Sequence, residues 1–180
     1  MKGHRRWQNS QEAARTMFVT TTCRGFAKVL RRDEIKAILM RRLVSDSHRY
    51  GAVIHAFCVM DHHVHLIVRS PMTGNISTFM KFFKKHACDD ILPHLDAYET
   101  FILDKHRDKE GHRLWMRSFK SKAMKDEDMF WACVRYIHLN PTRAALCERT
   151  IDYAWSSARL FEDCAWREET GIMEGIGEWE

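Results

Sequence analysis

Two β-rich runs, residues 50–60 and 62–69, are separated by nothing longer than a turn at Asp61. A parallel pair would need a crossover of a dozen or more residues, so this spacing predicts antiparallel neighbours. Other patterns fall in order around them. Residues 16–22 are β-branched and aromatic and read as a first strand. From Asp33 to about Val44, Ile35, Ile38, Leu39 and Leu43 recur at helical spacing. Ile76, Phe79, Met80, Phe83 and Ala87 repeat the pattern in a second helix. The charged stretch 95–113 reads as a surface loop, and Leu114 to Ala123 as a further strand. A last long helix is expected to start at Lys125-Asp126, with acidic residues at its positive end, and to stop at Asn140 because Pro141 follows. Strand, helix, strand, strand, helix, strand is the α+β order of a ferredoxin-like split βαβ fold: an antiparallel sheet, here with a C-terminal helix appended.

With 180 residues, 45% of them hydrophobic, the chain can bury one core, and we expect a single domain over 1–165 followed by an acidic tail, 166–180. The absence of an eighteen-residue apolar run excludes a membrane-spanning helix, and a polar start predicts an intracellular chain. Six cysteines without a C-x-x-C pair fit neither a zinc knuckle nor a secreted disulfide framework, and are expected to be reduced thiols. Charge is uneven. Residues 1–50 carry 12 Lys/Arg against 4 Asp/Glu, whereas residues 161–180 carry 1 against 7. A basic body suits a polyanionic partner, and the acidic end is expected to lie against that body rather than to embrace phosphate.

Within Asp61-His62-His63-Val64-His65-Leu66-Ile67-Val68, the strand period of two puts His63 and His65 on one face and Val64, Leu66 and Val68 on the other. The apolar side can be buried while two imidazoles converge on the other, expected to be open, which suits two ligands to one metal. Alone the motif decides little, since 11 histidines produce about 0.7 such pairs by chance. In the last helix, Phe130, Val134 and Ile137 form a core stripe, and Tyr136 and Asn140 stand one turn apart on its flank. Taken singly, that pair reads better as an ordinary half-buried Tyr and an Asn ending a helix before a Pro.

Together, four blocks resemble in order the REP-associated tyrosine transposases, a branch of the His-hydrophobe-His (HUH) single-tyrosine transposases. They are Met60–Val68; Leu114-Trp115 with Arg117-Ser118-Phe119-Lys120-Ser121; Arg135-Tyr136-Ile137-His138-Leu139-Asn140-Pro141-Thr142-Arg143-Ala144; and Tyr153-Ala154-Trp155-Ser156-Ser157. The resemblance spans about residues 16–160, and the block around Tyr136 is its most specific part. It implies that His63 and His65, on a central strand, hold a divalent metal, that Tyr136 on a C-terminal catalytic helix is the nucleophile, and that Asn140 stands where the family places its third ligand. Mixed imidazole and amide-oxygen ligation suits Mg²⁺ or Mn²⁺. A metal-polarised phosphate is what a phenol, ionised only near pH 10 when free, would need as a partner.

The implied activity is cutting and rejoining of single-stranded or hairpin DNA, in repetitive palindromic elements, through a 5′-phosphotyrosine. The implied setting is the cytoplasm, at the nucleoid, as a monomer or homodimer. A hairpin-binding protein without turnover, and a His-metal hydrolase in which Tyr136 is structural, are the competing readings. Three departures from the family pattern stand out. Asp61-His62 replaces Pro-Asn, which brings further ligands near the metal; Ala145 replaces a Gly at the helix exit; and the 95–113 segment is long. Lys84 and Lys85, with Lys81 on the same helix flank, and Arg117 and Lys120, with Lys122, are candidate phosphate contacts. Trp115 and Phe119 are aromatic enough to stack on bases, but core packing is the better reading of each. His55, His86, His94 and His138 are read as structural.

Overall fold

The computed structural model describes residues 14–106 and 114–162. The acidic tail and much of the charged stretch lie outside these. Among the described residues the strands and α-helices follow in the order β1 (Thr16–Thr22), α1 (Asp33–Tyr50), β2 (Val53–Val59), β3 (His63–Arg69), α2 (Ile76–Ile91), α3 (Ala97–Lys105), β4 (Lys120–Ala123), α4 (Glu127–Arg143) and α5 (Ala158–Glu162). The four strands form one sheet in the order β2-β3-β1-β4, antiparallel throughout. This is the expected split βαβ arrangement, with β3 in the interior of the sheet.

Alternation along the strands feeds two cores. Met17 and Val19 of β1 join Val64, Leu66 and Val68 of β3 beneath α1 and α2. On the other face, Ile67 of β3 meets Phe130, Val134 and Ile137 of α4, with Phe18 packed against them. A β-bulge at His55 shifts the register between Ile54 and Ala56, so Ile54, Phe57 and Val59 all reach the α1/α2 core. The free edge of β2 is covered by the segment after α4. Val59 N–H donates to Trp155 O at 2.8 Å and Ser157 N–H to Phe57 O at 3.0 Å.

The elements differ from the sequence expectation in four places. Helix α1 runs two turns beyond Val44, because Asp46 and Ser47 are buried there although polar. Asp46 is held by His86 Nδ1 at 3.0 Å, a partner that no local pattern reveals. Part of the expected loop 95–113 is helix α3, started by a capping box. Asp96 accepts from Glu99 N–H at 2.7 Å, and Glu99 accepts from Asp96 N–H at 3.0 Å. The strand expected from Leu114 is regular only over Lys120–Ala123; before it, Trp115 makes a single bridge to Cys23.

Finally, α4 continues through Pro141 to Arg143. A proline in the last turn forfeits one intrahelical bond, and the helix closes instead by a Schellman pattern: Leu146 N–H to Pro141 O (2.9 Å) and Ala145 N–H to Thr142 O (3.0 Å). Ala145 takes the left-handed conformation, φ 54°, that the exit needs, without being a glycine.

Candidate active site

The turn before β3 is anchored from outside. Leu30 N–H donates to Asp61 O (2.9 Å) and Cys23 N–H to His62 O (2.7 Å). The Asp61 carboxylate accepts from the buried Lys36 ammonium at 3.4 Å, so it is spent on α1. His62 packs edge-on against Phe26 and 4.4 Å, centroid to centroid, from His63.

His63 and His65 leave the same face of β3, and their Nε2 atoms stand 3.1 Å apart. Two nitrogen ligands at about 2.1 Å from one cation, at near a right angle, stand about 3 Å apart, so the pair fits a single ion. His65 Nδ1 lies 2.8 Å from Thr20 Oγ1. With Nδ1–H donating to that hydroxyl, His65 presents a lone pair at Nε2. His63 has no such support, since its Nδ1 is buried without a hydrogen-bond partner.

Burial, then the charge of His62, lowers His63 to about 4. Burial, then His63 and His62, lowers His65 to about 3. Both imidazoles are therefore neutral, the ligating form, throughout the physiological range. No group of three His, Cys, Asp or Glu side chains converges on a metal position among the described residues. A third protein donor would be of another kind; the Asn140 side chain lies against His65 and donates from Nδ2 to Tyr136 O at 2.7 Å.

The histidine face of the sheet is not open, as the strand pattern alone suggested. Helix α4 packs across it, and His65 is only 4% exposed. Its ring stacks on Phe18 (centroids 5.5 Å, 24°) and meets the edge of Tyr136 (5.5 Å, 73°). Tyr136 itself is 44% exposed, with the Arg143 guanidinium 5.9 Å from its ring centroid. Tyr153 shows the contrast: it is buried, and its hydroxyl donates to Val59 O at 2.8 Å. The one phenol is built into the core, whereas the other stands at the surface beside the imidazole pair.

A matching family model, described as "Transposase IS200 like", covers residues 14–140, a stretch that includes Thr20, His63, His65, Tyr136 and Asn140. The chain belongs to the IS200-like transposase family. The solved structure of a REP-associated tyrosine transposase bound to a REP hairpin superposes with a TM-score of 0.67 at 18% identity, over 100% of this chain and 93% of that one. That likeness is one of fold. A transposase-assigned protein from Deinococcus radiodurans R1 aligns at 19% identity over 76% of this chain and 95% of its own, with a TM-score of 0.49. No curated protein matches the chain. Among the described residues no helix is long and apolar enough to cross a membrane.

The cationic candidates separate by position. Thr20 pairs with His65 on one side and with Lys120 on the other, and directly opposed residues share a face. Lys120 thus continues the row His65–Thr20 to the sheet edge, and Lys122, opposite Phe18, lies on the same face. Arg117 is exposed just before β4. Lys84 and Lys85 belong to α2, across the sheet. Lys84 donates to Met116 O (2.7 Å) and Arg117 O (3.0 Å), and burial lowers it to about 8. Lys85 pairs with Asp89 at 3.0 Å.

Thr20, Phe18 and Arg143 are the site residues that sequence reasoning missed. Thr20 and Phe18 sit 45 and 47 positions before His65, and only strand register brings them to it. Arg143 had a visible signal, since seven residues place it two turns from Tyr136 on one helix face.

Proposed function

We propose that this chain is a metal-dependent single-tyrosine endonuclease and strand transferase that cuts one strand of hairpin or repetitive palindromic DNA through a 5′-phosphotyrosine bond to Tyr136. One observation carries the reading: a half-exposed phenol packs against His65, whose Nε2 converges with that of His63 at 3.1 Å. Membership of a transposase family, and a fold shared with a transposase solved on its REP hairpin, support it.

In this reading Tyr136 Oη attacks the scissile phosphorus. The new Oη–P bond forms as the P–O3′ bond breaks; the phenol gives up its proton and the departing strand ends in a 3′-hydroxyl. The phosphodiester count is unchanged, so another 3′-hydroxyl can reverse the step and join strands. His63, His65 and Asn140 would hold a divalent cation, Mg²⁺ or Mn²⁺, whose positive charge would offset that of the phosphate. Thr20 holds the His65 tautomer, and Phe18 and Tyr136 shield that ring from water. Lys120 and Lys122, on the same face, with Arg117 at its edge, neutralise phosphates of the strand as it leaves. Lys84 and Lys85, on the other side of the sheet and engaged with Met116 O, Arg117 O and Asp89, contribute no phosphate contact in this reading.

The test is incubation of the protein with a labelled hairpin oligonucleotide and Mn²⁺ or Mg²⁺, followed by a denaturing gel. A covalent protein–DNA band is expected from the native chain. Tyr136→Phe, which loses one oxygen but keeps its ring, should bind the hairpin and form no band. Full cleavage by that variant would sink the mechanism. Hairpin binding with no adduct under any metal would make the chain a non-catalytic hairpin-binding protein on the same fold.

A further inference from the structure

A lysine on a helix ordinarily keeps its ammonium in water and buries only its apolar stem. Lys36 of α1 does the opposite: its side chain is 5% exposed and turns inward to the connection between β2 and β3. Nζ donates to Arg31 O at 3.0 Å and to Asp61 Oδ1 at 3.4 Å, and stands 5.7 Å from the centroid of the Tyr153 ring. The Asp61 carboxylate is itself 15% exposed, whereas Asp33, 4.0 Å from the same ammonium, is 78% exposed. A buried ion pair often stabilises no more than an apolar pair of equal volume, because desolvation offsets the attraction. Its presence here therefore points to geometry rather than to stability.

The connection that Lys36 grips leads straight into the imidazole pair. Met60, Asp61 and His62 alone separate β2 from β3, and His63 is the first residue of β3. His65 has supports of its own, Thr20 at Nδ1 and the rings of Phe18 and Tyr136. No described residue hydrogen-bonds His63 Nδ1, and the ring of His63 meets only the imidazoles of His62 and His65. The placing of its Nε2, 3.1 Å from that of His65, thus depends on the backbone that delivers it. Leu30 and Cys23 hold that turn by its carbonyls, and Lys36 holds it by the Asp61 side chain from α1.

We propose that Lys36 is a positioning residue for His63: by gripping Asp61 it fixes the turn from which His63 enters β3, and with it the approach of the two Nε2 atoms. The inference rests on the function proposed above, in which that pair holds a cation, and extends the site to a residue of α1. It also gives a role to Asp61, which stands where the family pattern has a proline. Proline would restrict the turn through its own ring; Asp61 does so through a partner 25 positions away.

The test applies Mn²⁺ titration calorimetry, urea denaturation and ¹⁵N NMR of the histidine rings in metal-free protein to variants of the full chain. Lys36→Met with Asp61→Asn removes both charges at similar volume and leaves no buried ion unpaired. It should unfold near the native urea concentration. It should displace or broaden the His63 ring signals, leave those of His65 in place, and bind Mn²⁺ on the order of tenfold more weakly. In Lys36→Met with Asp61→Pro, the ring replaces the tie, and no described backbone bond from the Asp61 N–H is lost. That variant should recover most of the affinity. Should the asparagine variant fail to fold, Asp61→Asn alone, which keeps an acceptor for Lys36, should move the His63 signals and the affinity in the same direction by less.

Native Mn²⁺ affinity and native His63 signals in a folded variant without the pair would overturn this inference and leave the proposed function standing. A loss of affinity that the proline variant fails to recover would also overturn it, since the cation would then respond to the Asp61 charge and not to the turn. A native chain that binds no Mn²⁺ would remove the metal from the proposed function, and the His63 signals of metal-free protein would still decide whether Lys36 positions that ring.

Discussion

Thr20 Oγ1 lies 2.8 Å from His65 Nδ1, joining two residues 45 positions apart across the β1–β3 ladder. With Nδ1–H as the donor, this bond leaves Nε2 bare. Thr20→Val, nearly equal in volume, should weaken Mn²⁺ binding by about 10- to 100-fold, the usual cost of losing an outer partner of a ligating histidine. Thr20→Ser should restore it. Titration calorimetry with Mn²⁺ measures both, and an unchanged affinity in Thr20→Val would show that the bond does not orient the ring.

The two histidines should respond differently to truncation. His65 is buried beneath Phe18 and Tyr136, so His65→Ala leaves a hole and is expected to cost roughly 1–3 kcal/mol of stability. His63, less buried, should cost well under half of that as His63→Ala. Urea denaturation of the two variants decides the matter, and equal losses would contradict the packing described here.

Ala145 holds φ 54° at the exit of α4. An L-residue there costs roughly 1–2 kcal/mol that glycine does not. Ala145→Gly should therefore stabilise the protein by up to about 1 kcal/mol, part of the gain being offset by the freer unfolded chain. A lowered melting temperature would show that the Cβ makes a contact worth more than the strain.

Acid should destabilise the fold through histidines outside the candidate metal pair. Burial, then the charge of Arg69, lowers His55 to about 4, and burial lowers His138 to about 4. Unfolded, each titrates near 6.5. Between these values the unfolded chain binds protons that the folded chain refuses, so stability is fully present above about pH 6.5 and is lost as pH falls toward 4. Each should add about 1 kcal/mol per pH unit to the slope. His138→Gln, which can still reach Ser157 Oγ, the present partner of Nε2 at 2.9 Å, should flatten the fall measured by denaturant titration at pH 7, 6 and 5. An equally steep fall would assign the acid sensitivity elsewhere.

Lys120 and Lys122 lie on the face that carries His65, whereas Lys84 is engaged with backbone carbonyls across the sheet. Lys120→Ala should lower the slope of log affinity against log salt for a hairpin oligonucleotide by about 1, as the loss of one phosphate contact does. An unchanged slope in Lys120→Ala would move the DNA path off this edge.

The sequence by itself determined what is local. The period of two in β3 set its apolar side, the period near 3.6 set α2, and Asp126 marked the start of α4, where its side chain accepts from Met129 N–H at 2.8 Å. The short turn at Asp61 made β2 and β3 antiparallel, and the order of elements implied the sheet order. His63, His65, Tyr136 and Asn140 were nameable from spacing and resemblance before any contact was known.

Other features were decided by tertiary structure alone. Asp46 could be polar and buried because His86 reaches it from α2, beside Arg42 of the preceding α1 turn, so α1 outran its apolar stripe. The histidine face proved covered, because α4 returns across it from more than 60 residues away. Thr20, Phe18 and Lys120 became neighbours of His65 only through register, which is fixed by the burial of whole strand faces and by turns elsewhere in the chain. Periodicity is carried by neighbouring residues and can be read in a line; register and packing depend on which distant surfaces exclude water from one another, and only the folded chain settles that.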